Sequence, residues 1–238
     1  MESQEKSNSI IELVALLGNP GREYEHTRHN APWHLGAQLP FRHLLSWQGK
    51  FKGLYADLDS SQLQAYLPET SAPIGAARAD SALAESTLAE SAPAEAVPAV
   101  LPRRLHFIMP ETYMNKVGES IQAVASFYKI PPQRILLVQD ELEIPLGCLS
   151  LKFSGGLGGH NGLRSMVASC GTPDFWRLRI GIGRPDHPDI YGWVLSAFTP
   201  EERERLEPVL EAGSALLIRA LLGDPNALLP EWKKKLVE

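Results

Sequence analysis

Residues 10–17 read IIELVALL and run directly into the turn Gly18-Asn19-Pro20-Gly21. A short apolar run that ends in Gly, Asn and Pro is typical of a buried strand followed by a tight turn. A second apolar run, residues 135–139 (ILLVQ), is followed at once by Asp140 and Glu141. We predict that both runs are buried strands of one sheet.

The remaining segments alternate between strand and helix patterns. Further strands are predicted as a pair within 47–67 and singly at 105–109, 149–153 and 177–182. Helices are predicted at 30–39, 118–129, 161–168 and 200–222, followed by a basic helix that ends in Lys233–Lys235. Thr199 and Pro200 fit the start of helix 200–222, and Gly223 fits its end. Alternating strands and helices predict an α/β fold with a mixed, largely parallel sheet.

Length and composition indicate one globular domain. The chain has 238 residues, of which 44% are hydrophobic and 21% charged, as is ordinary for a protein with a packed core. We expect a soluble, cytoplasmic protein, because no run of about 18 apolar residues and no secretion signal is visible. Cys148 and Cys170 form neither a disulfide framework nor a metal-binding spacing.

Residues 68–102 differ from the rest of the chain. They are rich in Ala, Ser, Pro and Glu, contain no aromatic residue, and carry five acidic residues against one arginine. Such a segment buries too little apolar surface to offset its ordering entropy, so we predict a flexible insertion within a single domain 1–238. It holds four of the five net negative charges of the chain. The nearly neutral remainder permits nucleic-acid binding without predicting it.

Segments 18–30, 139–143 and 154–162 are predicted to follow strands, where open α/β sheets bind ligands. His29 is a candidate base, although its spacing alone favours a capping or solvent-facing histidine. Asp140 would accept a histidine N–H and fix its tautomer, or would simply cap the next element. The chain has no G-x-S-x-G nucleophile motif. A base without a protein nucleophile suggests that water is the attacking group.

The glycine-rich segment 154–162 allows two interpretations. It lacks the Gly-Lys-Ser/Thr of a phosphate-binding loop and the spacing of a dinucleotide fingerprint. It is therefore either an ordinary mobile loop or a bare backbone that lets a substrate approach closely. His160 within it is a second histidine in a polar context that could carry chemistry, or equally a ring that only tethers the turn. Asn19, Asn115 and Asn161 are plain turn residues or neutral hydrogen-bonding groups for a polar substrate.

Five sequence blocks, taken in order, resemble the bacterial-type peptidyl-tRNA hydrolase family. With their connecting segments they cover nearly the whole chain except 60–103. The blocks are 16–21 (LLGNPG) with Tyr24 and 27–31 (TRHNA), 110–115 (PETYMN) with Gly118, 140–142 (DEL) with 145–147 (PLG), 158–163 (GGHNGL), and 177–185 (RLRIGIGRP).

This resemblance implies a three-layer sandwich of the phosphorylase/hydrolase-like type, which acts as a monomer on peptidyl-tRNA without metal or cofactor. His29 matches the family's catalytic histidine, and Asp140 matches the carboxylate that keeps it basic. Asn19 matches the asparagine that helps to distinguish blocked from free aminoacyl-tRNA. The matched substrate contacts are Tyr24, Tyr113, Asn115 and Asn161, and the matched acceptor-stem phosphate contacts are Lys152 and Arg179.

Several positions depart from the family pattern. Pro32 stands in place of a usual glycine and is a candidate to shift the start of the following helix. Two other function classes remain open on the sequence. One is an RNA-binding module, since relatives of the family serve in RNA splicing without hydrolysis. The other is a nucleotide-dependent oxidoreductase, which the failed dinucleotide fingerprint disfavours.

Overall fold

The computed structural model describes residues 10–67 and 101–237. Within them, eight strands form one sheet in the order β2-β3-β4-β1-β5-β7-β6-β8. The strands are β1 (Leu13–Leu16), β2 (Gln48–Lys50), β3 (Gly53–Asp59), β4 (Arg104–Pro110), β5 (Ile135–Glu141), β6 (Cys148–Phe153), β7 (Trp176–Gly181) and β8 (Lys235–Leu236). The helices are α1 (Ala31–Gln38), α2 (Val117–Tyr128), α3 (Asn161–Cys170), α4 (Ile190–Val194), α5 (Pro200–Leu222) and α6 (Pro225–Trp232).

The sheet is mixed, with a parallel centre. β1 pairs in parallel with β4 and β5, and β5 pairs in parallel with β7. The outer strands β2, β3, β6 and β8 pair antiparallel. The four central strands therefore end at the same side of the sheet, which we call the carboxyl edge; the opposite side is the amino edge.

Helices cover both faces of this sheet, which confirms the three-layer α/β prediction. Val14 and Leu16 face a core shared with α1 and α5, whereas Leu13 and Ala15 face a core shared with α2 and α3. All four side chains are fully buried. A strand that is buried on both faces has a continuous run of apolar residues, whereas a half-exposed strand alternates apolar and polar residues. This explains the IIELVALL pattern.

The helix starts follow the residues that favour them. Thr199 accepts the Glu202 N–H and forms a capping box ahead of α5, with Pro200 in the first turn. Pro32 does not displace α1, because it too occupies the first turn, where an N–H has no partner in the helix. Gly223 ends α5 in an extended conformation rather than a left-handed one.

Two sequence predictions were wrong in extent. The predicted strand pair stops at Asp59, where a capping box starts a 3-10 helix over Ser60–Tyr66. The last helix ends at Trp232, and Lys235 instead begins the edge strand β8. The short helix α4 was not predicted. None of the helices in 10–67 and 101–237 combines the length and apolarity needed to cross a bilayer.

The predicted insertion lies outside the described residues, apart from Leu101 and Pro102. These two residues lead into β4, which starts at Arg104. Since β4 is parallel to β1, the chain re-enters the described part at the amino edge. The candidate catalytic residues lie at the other side of the sheet.

Candidate active site

His29 and Asp140 meet at the carboxyl edge. His29 lies in a 3-10 turn, Arg28–Asn30, between β1 and α1, and Asp140 lies near the end of the neighbouring strand β5. His29 Nδ1 is 2.8 Å from Asp140 Oδ1, and the two residues are 7% and 1% exposed. Because β1 and β5 are adjacent and parallel, the strand order brings together side chains that are 111 positions apart.

His160 is a third member of this cluster, and the sequence reading did not include it among the site residues. Its Nε2 lies 3.0 Å from the same Asp140 Oδ1, while its Nδ1 accepts the N–H groups of Gly162 and Leu163. An Nδ1 that accepts backbone N–H carries no proton, so the neutral ring holds its proton on Nε2 and donates it to Asp140. His160 thus tethers the turn and also bonds to the carboxylate.

The glycine-rich loop brings His160 to Asp140 from the far side of the sheet. Ser154 follows β6, as predicted, but β6 is antiparallel to β7, so the carboxyl end of β6 lies at the amino edge of the sheet and not at the carboxyl edge. Buried Arg177 donates to the carbonyls of Gly155 and Gly156 and anchors the loop there. Gly158 and Gly159 have positive φ, a conformation that favours glycine.

The electrostatics of the cluster favour an ionised Asp140. Burial would raise the pKa of this carboxyl, but His29 and His160 outweigh it and hold the pKa well below its usual range. Burial lowers the pKa of His29, whereas the charge and hydrogen bond of Asp140 raise it, and the net pKa is raised. In the neutral form, His29 donates Nδ1–H to Asp140 and keeps a lone pair on Nε2.

Two adjoining cavities, of about 430 and 420 Å³, share His29, Asn161 and Tyr191 in their walls. The first cavity is also lined by Asp140 and His160, and the second by Asn19. Among the described residues, none bonds to His29 Nε2. A water molecule or a substrate in either cavity therefore has access to the ring.

Asn19 is fixed by its neighbours. Its N–H donates to Asn30 Oδ1 at 2.8 Å, and its carbonyl accepts from Asn30 Nδ2 at 3.0 Å. Its Oδ1 accepts the buried Met114 N–H at 2.8 Å. This orients the side-chain amide in the wall of the second cavity. Asn115 lines the same cavity but is exposed.

The two asparagines are expected to differ in their effect on stability. Asn19→Ala leaves the buried Met114 N–H without its acceptor, which costs about 1–3 kcal/mol. Asn115→Ala truncates an exposed side chain and is expected to change the free energy of unfolding by less than about 0.5 kcal/mol. Urea unfolding of both variants measures the difference. Equal stabilities would contradict the bonding described for Asn19.

Three tyrosines surround the cavity mouths. Tyr24 and Tyr113 meet edge to face, with ring centroids 6.3 Å apart, and Tyr113 is 57% exposed. Tyr191 on α4 is 73% exposed and lines both cavities. Tyr191 was missed because α4 spans only five residues, too short for a periodic pattern to identify.

Arg28 ties the histidine turn to the wall that carries Tyr191. It is 2% exposed, its guanidinium lies 3.6 Å from the Trp193 ring centroid, and it binds Glu202 at 2.7 Å. Its Nε also donates to Ser196. These partners are more than 160 positions away in sequence, so no local signal identified Arg28.

Lys152 and Arg179 lie outside both cavities. They line a separate groove of about 500 Å³. Arg179 donates to Ser150 Oγ at 2.7 Å and contacts Glu141 at 3.5 Å. The structure therefore brings seven predicted site residues to the two cavities and puts the two predicted phosphate contacts in a neighbouring surface.

Ligand atoms of His29, Asp140 and His160 lie within 4.8 Å of one another, close enough to hold a metal ion. The hydrogen bonds argue for a different use of these groups. His160 Nε2 needs its proton because backbone N–H groups occupy Nδ1. A metal at this position would have to replace that proton, so the absence of a metal stays our prediction.

The fold and the site define an α/β protein with a histidine–aspartate pair at the carboxyl edge. Comparison with known proteins identifies the protein family. A sequence model described as peptidyl-tRNA hydrolase matches residues 13–72 and 74–236. The chain belongs to the peptidyl-tRNA hydrolase family, which confirms the resemblance drawn from its sequence.

Relatives and solved structures agree with this assignment. The peptidyl-tRNA hydrolase of Treponema pallidum is 37% identical over 230 residues, covering 94% of this chain and 96% of the relative. That of Desulfitobacterium hafniense is 37% identical over 220 residues, covering 92% and 97%. A crystal structure of peptidyl-tRNA hydrolase from Acinetobacter baumannii superposes with a TM-score of 0.67 at 29% identity, covering 94% and 92% of the two chains.

Proposed function

We propose that this chain hydrolyses the ester bond between peptide and tRNA in peptidyl-tRNA and so releases free tRNA for translation. Membership of the family supports the reaction. The observation that carries the proposal is the His29–Asp140 pair, 2.8 Å apart, with His29 in the walls of two open cavities. This arrangement supplies an oriented base and room for water.

The mechanism needs no protein nucleophile. Asp140 holds His29 with its proton on Nδ1, and His29 Nε2 removes a proton from water. The hydroxide equivalent adds to the ester carbonyl, whose oxygen becomes an oxyanion. Collapse of this intermediate breaks the bond to the ribose oxygen, which takes the proton from His29 Nε2. The products are tRNA and the peptide carboxylic acid, which ionises by releasing its proton to solvent.

An asparagine amide is proposed to stabilise the oxyanion, and both Asn19 and Asn115 line the cavity beside His29. The fixed orientation of Asn19 suits a preorganised donor. Asn19 is also proposed to help to distinguish blocked from free aminoacyl-tRNA. Tyr24, Tyr113 and Asn161 are proposed to contact the substrate, since they line the same cavity.

We further infer a single-domain, monomeric enzyme that works in the cytoplasm without metal or cofactor. An RNA-binding module is the alternative. The intact His29–Asp140 bond favours catalysis, because binding alone gives no reason to bury an ionised carboxylate against an imidazole. Lys152 and Arg179 are proposed to contact the phosphate of the acceptor stem.

A turnover assay tests the proposal. The chain is expected to release tRNA from N-acetylated aminoacyl-tRNA and to leave free aminoacyl-tRNA largely intact. Prior treatment with EDTA, followed by assay in metal-depleted buffer with polyamine to maintain the tRNA, is expected to leave the rate unchanged. Binding of the blocked substrate without release of tRNA would favour the binding module, and loss of activity with EDTA that Zn²⁺ restores would overturn the metal-free mechanism.

A further inference from the structure

The groove beside the catalytic cavities is strongly basic. Lys152, Arg179, Lys233 and Lys234 all line it. Glu143 is the one carboxylate in its wall among the described residues, and Glu143 is already bound to Arg184. Like charges gathered in one groove repel one another, so the arrangement is suited to an anionic ligand.

The fold holds the backbone of Lys233 and Lys234 at this groove. The hydroxyl of Ser150 accepts from Arg179 at 2.7 Å and donates to the backbone carbonyl of Lys233. Two residues further on, Lys235 pairs with Leu149 of β6. The backbone of Lys233–Lys235 is thus fixed against the strand that carries Ser150.

The side chains of Lys233 and Lys234 remain available. Both residues are exposed, and neither forms an ion pair with a residue of 10–67 or 101–237, whereas Lys235 is bound to Glu231. A basic run at a chain end is usually only solvated. Here the run faces a groove in which Arg179 also contacts Glu141, a residue of the first catalytic cavity. Through this contact, the wall of the groove adjoins the wall of the first catalytic cavity.

We propose that Lys233 and Lys234 bind backbone phosphates of the substrate RNA, so that the C-terminal segment after α6 is part of the tRNA-binding surface. This inference rests on the proposed function. It adds a second pair of cations to the contacts proposed for Lys152 and Arg179. If one end of a polyanion binds in the catalytic cavities, phosphates further along the same molecule would lie in this groove.

The double variant Lys233→Gln/Lys234→Gln tests the inference. Both substitutions keep the backbone bond from Ser150 to Lys233. Binding of deacylated tRNA, measured over a range of salt concentrations, is expected to weaken about 10-fold at low salt, with the slope of log Kd against log salt falling by about 2. KM for blocked aminoacyl-tRNA should rise in parallel, whereas kcat should stay unchanged.

A matched control removes two positive charges elsewhere. Arg103→Gln/Lys129→Gln changes connections that lead into β4 and β5 at the amino edge, and it is expected to keep the wild-type affinity and slope. Unchanged binding and slope in the lysine variant, or an equal loss in the control, would overturn the inference. Wild-type protein that binds tRNA with this lysine dependence but releases no tRNA from its substrate would overturn the proposed function alone.

Discussion

His29→Ala is expected to lower kcat on N-acetylated aminoacyl-tRNA by about 10²–10⁴-fold, the usual contribution of general-base catalysis. The variant removes the proposed base, and of the described residues His160, the other histidine bonded to Asp140, cannot replace it. The Nδ1 of His160 accepts backbone N–H groups, and its Nε2 donates to Asp140. Single-turnover measurements at saturating enzyme would report the loss in the chemical step directly.

The same variant is expected to fold. Asp140 keeps the N–H of His160 as a partner, so the buried carboxylate is not left without a donor. His43→Ala is a suitable control, because His43 is exposed and its ring bonds only to the hydroxyl of Tyr66 among the described residues. A His29→Ala variant with wild-type kcat would remove His29 from the mechanism, and a loss of the same size in His43→Ala would show that the effect is not specific.

Much of the site could be predicted because its residues follow strands. Asn19 and Asp140 come directly after or within apolar runs, and parallel strands end at one edge of a sheet. That local pattern predicted the fold class and two segments of the site. The local pattern did not predict that His29 pairs with Asp140, because the spacing left both as possible capping residues. This pairing was predicted from the family resemblance.

The remaining site residues depend on contacts that local sequence does not encode. His160 reaches Asp140 only because the loop 154–159 crosses from the amino edge to the carboxyl edge, and the antiparallel direction of β6 could not be read from its residues. Arg28 depends on Trp193 and Glu202, which lie far away in the chain. The groove at Lys233 depends on the hydroxyl of Ser150, whereas the basic run at 233–235 predicted only a longer helix.

The hydrogen bonds of Asp140 also explain why one carboxylate serves two histidines. Its Oδ1 accepts from both His29 Nδ1 and His160 Nε2, but only His29 keeps a second nitrogen that is not bonded to a described residue. The Nδ1 of His160 accepts a hydrogen bond from the backbone N–H of Gly162 in α3. In the proposed mechanism, the carboxylate therefore activates His29 and is itself positioned by His160.

Asp140→Asn is expected to lower kcat by about 10³-fold or more, as in hydrolases whose histidine loses its carboxylate. Asparagine has nearly the same shape, but its side-chain NH₂ can face His29 Nδ1 and favour the tautomer with the proton on Nε2, where the lone pair is needed. The charge that raises the pKa of His29 is lost as well.

The pH profile separates this role from a merely structural one. His29 must be neutral to act as a base, so kcat/KM falls as the pH drops below the pKa of the folded state, which lies above the ordinary 6.5 in the wild type. Without the Asp140 charge that pKa falls, and the acid limb moves to lower pH. Glu143→Gln removes a nearby exposed carboxylate bound to Arg184 and should leave the limb in place. An Asp140→Asn enzyme with an unmoved acid limb would show that this carboxylate does not set the basicity of His29.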